Sequence, residues 1–220
     1  MTGTAPRVLD VAPERLAGWF ARFEQRHGGP LRWHLAADRA IATAVDGAGA
    51  ECEVPFPPLP AGPEAVTALI AHAQRERRVG VLLVRLGGYA AGVFQGSQLV
   101  SSKVGSRLVH GRNAAGGQSQ QRFARRREGQ VRVALAEAAD VAVRILGPAA
   151  GGLDAVVTGG DRRAVSTVLA DPRLGRLQFL VVPRLLEVPD PRLRVLLATP
   201  AQFRAVRIRV TDPPPGLPSP

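Results

Sequence analysis

The chain has 220 residues, with 29 Lys or Arg against 18 Asp or Glu, so its formal net charge is +11. GC-rich coding also favours arginine over lysine, but it does not explain the excess of bases over acids, which favours a polyanionic partner such as nucleic acid. The single cysteine, Cys52, excludes an intramolecular disulfide and a thiolate metal cluster, and the four histidines share no metal-ligand spacing. We therefore expect no metal and no other cofactor.

No apolar run approaches the length needed to span a bilayer, and the amino terminus lacks the apolar core of a signal peptide. A lone cysteine is also typical of proteins in a reducing compartment. We expect a soluble cytoplasmic protein without a membrane partner.

The first 54 residues predict a small α+β unit. Residues 1–12 have the character of an unstructured lead, and the next segment predicts an amphipathic helix with Leu16, Trp19, Phe20 and Phe23 on its apolar face. The segment "LRWHLAADRAIATAV" then alternates as a hairpin does, with Trp33 as a core partner of Trp19. The proline-rich residues 55–63 predict an extended linker.

Residues 64–210 predict a second, larger domain, and residues 211–220 a disordered tail. A helix begins at Pro63, and "VGVLLVRL" predicts a strand buried on both faces. A meander of two more strands follows, and later strands, "LDAVVTGG" and "LQFLVV", flank a helix that Asp161 caps. The last segment predicts a helix and an alternating edge strand. Strands that alternate with helices indicate an α/β (α+β) fold with a mixed β-sheet covered by helices.

The central stretch of the chain joins a strand to a long helix through the glycine-rich turn "HGRNAAGGQ" at residues 110–118. Gly116 and Gly117 reach backbone angles closed to residues with a Cβ, so they can hold Gln118 at a loop tip close to a partner. Ser119 is the expected N-cap of the helix "SQQRFARRR", which places Gln118 beside its positive end.

The long helix has one apolar face and one cationic face. At about 100° per residue, seven apolar residues share roughly a third of the circumference: Phe123, Val131, Leu135, Ala138, Val141, Ala142 and Ile145. Arg122, Arg125, Arg126 and Arg132 lie on the opposite half, whereas Arg127 falls on the apolar side and is expected to be structural. Between residues 103 and 132 there are eight Lys or Arg but one acid, Glu128. The cationic face is suited to phosphates, since arginine presents a planar five-donor fork.

"HGRNAAGGQSQQRFARRR" resembles the catalytic loop and following helix of the central domain of eukaryotic and archaeal class-1 translation release factors. The resemblance extends through "VGVLLV", "AAGVFQG" and "DAVVTGG", and so covers about residues 79–182. With this organisation the chain is similar to Vms-like release factors, the peptidyl-tRNA hydrolases of ribosome rescue and quality control, including their bacterial branch. Asn113, Ala114 and Ala115 are inserted between "HGR" and "GGQ", so the loop departs in length from that of the decoding factors.

The resemblance implies an esterase in which Gly116 and Gly117 hold Gln118 in the peptidyl-transferase centre. There Gln118 promotes attack of water on the peptidyl-tRNA ester. The expected partners are the ribosomal large subunit with its rRNA and the acceptor end of peptidyl-tRNA. Six basic residues are the candidates for RNA contact: Lys103, Arg107, Arg112, Arg122, Arg125 and Arg126.

Release factors that decode have a larger amino-terminal domain for the stop codon and a carboxy-terminal domain for a GTPase. The 54 residues before the linker are too few for the former, so we expect codon-independent action on stalled or split large subunits. A non-catalytic RNA-binding adaptor, similar to Pelota-type rescue proteins, is the alternative, although the presence of Gln118 counts against it. A Mg²⁺ nuclease is disfavoured because Glu128 stands without other carboxylates near the basic helix.

Overall fold

The structure of the protein is a computed structural model that describes residues 6–60, 64–85, 87–106 and 118–214, with side chains from residue 127 onward in the last range. The chain forms two compact units: unit 1 comprises Met1–Arg75 with Ala201–Pro220, and unit 2 comprises Glu76–Pro200. Each unit contains one five-stranded sheet, sheet 1 and sheet 2 respectively. The predicted mixed α and β class, with sheet strands covered by helices, is confirmed.

The described residues form six α-helices and ten strands. The helices are α1 (Leu16–Arg26), α2 (Ala65–Gln74), α3 (Gln118–Leu146), α4 (Arg162–Leu169), α5 (Gly175–Gln178) and α6 (Leu193–Phe203). The strands are β1 (Arg7–Val11), β2 (Arg32–Leu35), β3 (Arg39–Thr43), β4 (Gly49–Glu53), β5 (Arg78–Arg85), β6 (Gly88–Gln95), β7 (Gln98–Ser106), β8 (Ala155–Gly160), β9 (Val181–Leu186) and β10 (Val206–Thr211).

Sheet 1 is antiparallel throughout, in the order β1-β10-β4-β3-β2. Small residues on the inner face of β3 and β4, including Ala42 and Cys52, leave room for the larger side chains of α1. Phe20 of α1 contacts both Trp19 and Trp33, with ring centroids 5.0 Å apart in each pair. Both tryptophans pack against this core, as the sequence predicted.

The carboxy-terminal strand β10 lies inside sheet 1, between β1 and β4. The prediction of an edge strand in the second domain was therefore wrong. The prediction of an unstructured lead over residues 1–12 was wrong for Arg7–Val11, which pair with β10, while residues 1–5 are outside the described residues. Alternating Val206, Ile208 and Val210 predict a half-buried strand, but a period of two carries no information about which strands pair with it.

The proline-rich segment belongs to unit 1 and does not join the two units. The Nε2 of His72, in α2, donates to the backbone carbonyl of Pro55 at 2.9 Å, and Leu59 is buried with its backbone N–H donating to the carbonyl of Ala37 at 2.7 Å. The boundary between units falls at residues 75 and 76 instead of at a linker over 55–63. Proline density indicates extended backbone, whereas these contacts depend on α2 folding back over the segment.

A partly buried ion pair joins two loops of unit 1. His27 Nδ1 lies 2.8 Å from Asp46 Oδ2, and Asp46 Oδ1 accepts from the backbone N–H of Ala48 at 2.9 Å. Burial favours a raised pKa for Asp46, but the hydrogen bonds from Ala48 and His27 and the charge of His27 outweigh it, so the pKa of this carboxyl is lowered. The carboxylate therefore stabilises unit 1 above its unfolded pKa, and that stabilisation is lost as pH falls through the lower folded pKa.

Replacing Asp46 with asparagine is expected to lower the stability of unit 1 by about 1.5–3 kcal/mol at neutral pH, because a hydrogen bond to a charged acceptor is removed. It is also expected to flatten the acid dependence of unfolding below about pH 4. Tryptophan emission measures this, because both tryptophans of the chain lie in unit 1. Asp38→Asn, at a carboxylate whose side chain is 63% exposed, is the control. If Asp46→Asn unfolds in acid over the same pH range as wild type, the acid dependence does not come from the Asp46 carboxylate.

Sheet 2 has the order β7-β6-β5-β8-β9, with an antiparallel meander on one side of β5 and parallel strands on the other. Six consecutive residues of β5, from Val79 to Val84, are buried, as the continuous apolar run predicted. α3 and α4 cover one face, while Leu196 of α6 approaches Gly92 on the other. The predicted strand "LQFLVV" was wrong over its first four residues, because α5 ends at Gln178 and β9 begins at Val181.

Candidate functional site

Gln118 is the first residue of helix α3 that the structure describes. The predicted N-cap, Ser119, therefore lies inside the helix. The first backbone N–H groups of a helix have no partner within the helix and carry its partial positive charge. The backbone of Gln118 is therefore part of a donor-rich helix end, directly after Gly116 and Gly117 in the sequence.

The carboxy-terminal half of α3 holds it to unit 2. Five residues of α3 are buried, among those whose side chains the structure describes, and all lie in this half: Ala138, Ala139, Val141, Ala142 and Leu146. Between Arg127 and Glu137 no residue is fully buried, and Val133 is 44% exposed. Because burial of apolar side chains is the main source of anchoring, this arrangement fixes the direction of α3 from its carboxy-terminal half and leaves residues 127–137 more accessible.

Tyr89 connects the end of β7 to α3. Its ring lies against Gly105, where an added Cβ would overlap the ring, and its hydroxyl lies 3.4 Å from Glu137 Oε2 on α3. Gly105 is followed by Ser106, the last residue of β7 before the loop. The sequence pattern gives Tyr89 no particular role. Its role is visible in the fold because pairing of β6 with β7 sets it opposite Gly105.

Replacing Gly105 with alanine is expected to destabilise unit 2 by about 1–3 kcal/mol, because the new methyl group displaces the Tyr89 ring. Chemical unfolding followed by circular dichroism measures the change, since α3 lies in unit 2. Gly175→Ala is the matched control, because an added Cβ meets nothing within 4 Å at this helical position. Adding Tyr89→Leu to Gly105→Ala is expected to recover part of the stability; equal stability of the two glycine variants would contradict the contact.

A groove of about 830 Å³ lies between α3 and the end of α4. Its lining combines apolar and charged side chains: Arg127, Glu128, Val131, Arg132, Leu135, Ala136, Ala139, Thr167, Ala170 and Asp171. Arg127, assigned by the helical projection to the apolar side of α3, lines this groove together with Val131 and Leu135. Arg132 is exposed at the same groove.

An ion-pair network ties α3 to the turn after α4. The guanidinium of Arg173 lies 2.8 Å from Asp140 Oδ1 and 2.7 Å from Asp171 Oδ2. Hydrogen bonds from the side chain and backbone of Arg173 lower the pKa of Asp171 to about 2. Asp171 and Asp140 raise the pKa of Arg173 in turn, so the network stays charged across the physiological range.

The predicted RNA-contact residues, together with the two predicted catalytic glycines, fall into three groups. Lys103 is exposed on β7 and pairs with Ala91, whose side chain is in the core beneath α3, so Lys103 lies on the α3 side of sheet 2. Gly116, Gly117, Arg107 and Arg112 are outside the described residues. Three arginines lie in the first turns of α3, and their side chains are outside the description: Arg122, Arg125 and Arg126.

Among the described residues, no three His, Cys, Asp or Glu side chains come together as a group that could hold a metal ion. Within the same ranges, no helix combines the length and the apolar character that a membrane span requires.

No curated protein matches this chain. Among solved structures, an archaeal translation termination factor, aRF1, matches with 15% identity and a TM-score of 0.39 over 92% of this chain and 68% of its own. An archaeal protein matches with 13% identity and a TM-score of 0.38, over 89% and 74% of the two chains. Pelota of Archaeoglobus fulgidus matches with 13% identity and a TM-score of 0.34, over 93% and 68%.

A family model described as the Actinobacteria/Chloroflexi VLRF1 release factor matches residues 77–209, which is more than half of the chain. The match includes the glycine-rich loop, the whole of α3 and all five strands of sheet 2. The chain belongs to this family of release factors.

Proposed function

We propose that this protein hydrolyses the ester of peptidyl-tRNA on stalled or split large ribosomal subunits, without reading a codon. The observation that carries the proposal is that Gln118 is the first described residue of α3, directly after Gly116 and Gly117 in the sequence. Membership in a release-factor family supports it. Anchoring of α3 by its carboxy-terminal half supports it further, because the helix start then lies remote in sequence from the buried residues.

The chemistry needs no nucleophilic side chain. Gln118 is a neutral amide, so it acts by position: its side chain orients a water, and a backbone N–H donates to the developing oxyanion. The water oxygen attacks the ester carbonyl carbon, and the bond to the terminal ribose oxygen of the tRNA breaks. The water protons end on the ribose oxygen and the solvent, leaving a free peptide carboxylate and a tRNA hydroxyl. The ester is already activated, and the ribosome supplies much of the geometry.

In this proposal the basic residues of the loop and helix hold RNA. Lys103, Arg107 and Arg112 precede Gln118, while the first turns of α3 contribute Arg122, Arg125 and Arg126. Their ligands are the phosphates of rRNA and of the tRNA acceptor end, to which guanidinium groups donate paired hydrogen bonds. The large subunit and peptidyl-tRNA are the partners, the cytoplasm is the location, and no metal or other cofactor takes part.

The test is release of labelled peptide from peptidyl-tRNA held on isolated large subunits, with wild-type protein and Gln118→Ala at one fixed Mg²⁺ concentration, which the subunit itself needs. Wild-type release that disappears in the variant is the expected result. Binding of both proteins without release by either would replace the hydrolase with an RNA-binding adaptor. Cleavage of the RNA chain in place of the ester would point to a nuclease.

A further inference from the structure

We propose that a second surface of unit 2 binds the phosphate backbone of the tRNA acceptor arm through Arg162, Arg163, Arg192 and Arg194. We call these four residues the arginine edge. The inference rests on the proposed function for the identity of the RNA, and it adds a binding surface that is separate from the loop and from α3.

Two helix starts meet at one edge of sheet 2. Strands β5, β8 and β9 are parallel, so their carboxyl ends share an edge. The backbone N–H of Asp161 donates to the carbonyl of Val84 at 2.8 Å, and Arg85 Nη1 donates to the carbonyl of Val188 at 2.8 Å. Pro191 also packs on Gly88, since an added Cβ there would lie 3.1 Å from its carbonyl oxygen. The segments before α4 and before α6 therefore lie on either side of the end of β5.

Strand β7, which precedes Gly116 and Gly117 in the sequence, ends at the same edge of sheet 2. Ser106, the last residue of β7, pairs with Gly88, and Gly88 pairs with Arg85 at the end of β5. If the residues after β7 bind the end of the tRNA, as the proposed function requires, the duplex of the acceptor arm lies within reach of this edge.

The four arginines are available to a ligand. All four side chains are exposed, and none has an ion pair or a side-chain hydrogen bond with another described residue. Three carboxylates of the described residues lie on the same edge: Asp161, Glu187 and Asp190. Asp161 caps α4 by accepting from the N–H of Ala164 at 2.8 Å, and Asp190 lies 3.9 Å from Arg85 Nε. Of these three, Asp190 pairs with Arg85, so Asp161 and Glu187 are left to offset the four charges of the arginine edge.

The stability of helices α4 and α6 does not explain why arginines lie at their starts. Arg162 and Arg163 are the first two residues of α4, Arg194 is the second of α6, and Arg192 precedes α6 with its carbonyl accepting from the N–H groups of Val195 and Leu196. Helix starts favour acidic residues and disfavour cations; Asp161 at the N-cap of α4 follows this preference, but neither first turn contains an acid. Arginines that oppose two helix dipoles reinforce the positive potential of the helix starts, which is the arrangement that binds phosphate.

The experiment measures binding of the full-length protein to a fluorescent acceptor-arm hairpin ending in CCA, over a range of salt concentrations. The variants are Arg162→Gln/Arg163→Gln, Arg192→Gln/Arg194→Gln and all four changes together. The matched control is Arg144→Gln/Arg176→Gln, which removes the same charge as each double variant from unit 2. Both control arginines are exposed near the amino ends of the strands, because α3 ends beside Gly80 and α5 precedes β9.

We expect the fourfold variant to bind about 10-fold or more weakly near 0.1 M salt, and the slope of log affinity on log salt to fall by about 2–4, near one for each phosphate that the variant no longer binds. The control is expected to change much less in both measures. Thermal unfolding is expected to show variants at least as stable as wild type, because the removed cations oppose the helix dipoles. Affinity equal to that of the matching control, or a lower midpoint of unfolding, would overturn the proposal.

The same variants distinguish a failure of the arginine-edge proposal from a failure of the proposed hydrolase function. Gln118→Ala is expected to bind the hairpin as wild type does. Weaker binding by the arginine variants with no peptide release by wild type would retain the arginine edge and remove the hydrolase. Peptide release by wild type, together with arginine variants that bind the hairpin as the control does, would retain the hydrolase and remove the arginine edge.

Discussion

Gln118→Ala is expected to lower the rate of peptide release about 100-fold, because the variant keeps the backbone N–H but loses the side-chain amide that positions the attacking water. The decrease follows from the division of work within the proposed site. The ribosome and the basic residues hold the ester in place, and the amide of Gln118 orients the water that attacks it. Because that contribution is made mainly in the transition state, binding of the protein to the large subunit is expected to stay unchanged.

The measurement is single-turnover release from isolated large subunits at saturating protein, with binding followed separately by co-sedimentation. Gln121→Ala makes the same change one turn later in α3 and is the matched control. Equal rates for the Gln118 and Gln121 variants would contradict the assignment of Gln118. A parallel decrease of release and of binding in Gln118→Ala would also contradict it, since the residue would then be part of the docking surface.

Deleting residues 205–220 is expected to unfold unit 1. The deletion removes β10 from between β1 and β4, together with the buried side chains of Val206, Ile208 and Val210. Burial of three such side chains contributes about 4.5–9 kcal/mol, which is comparable to the whole stability of a typical domain at about 5–15 kcal/mol. The remaining strand β1 would have no partner in the sheet.

The reactivity of the Cys52 thiol measures whether unit 1 unfolds. It is fully buried in unit 1 and is the one cysteine of the chain, and burial raises the pKa of its thiol to about 12. Native protein is therefore expected to react slowly with a thiol reagent, because the thiolate is the reactive form. The deletion should react at the rate of an unfolded thiol. Deletion of residues 215–220 alone is the control and should leave Cys52 protected. Protection of Cys52 after removal of β10 would contradict the placement of that strand.

The central part of unit 2 was predictable because its determinants are local. The uninterrupted apolar run of β5 indicated burial on both faces, and the aspartate before "RRAV" indicated the start of α4. Both are confirmed by the burial of Val79 to Val84 and by the hydrogen bond from Ala164 to Asp161. The family was predictable for a related reason, because the loop and the "RFARRR" helix form one continuous stretch of sequence.

The limits of unit 1 were not predictable in the same way. A period of two marks β10 as a strand with one buried face, and proline density marks residues 55–63 as extended, but neither property depends on the rest of the chain. The pairing of β10 with β1 and β4 joins segments from opposite ends of the chain, and the proline-rich segment is held by His72 and Ala37.

The difference between local and long-range determinants also applies to the functional residues. Sequence alone sufficed for the apolar face of α3, for the Gly116-Gly117-Gln118 motif and for the basic character of the chain, since each is a property of neighbouring residues. The cationic face of α3 stays a prediction. The placement of Arg162 and Arg192 at one edge of sheet 2, and the contact of Tyr89 with Gly105, required the folded chain. Parallel strand pairing and crossover connections bring distant segments together, and local patterns do not record which segments these are.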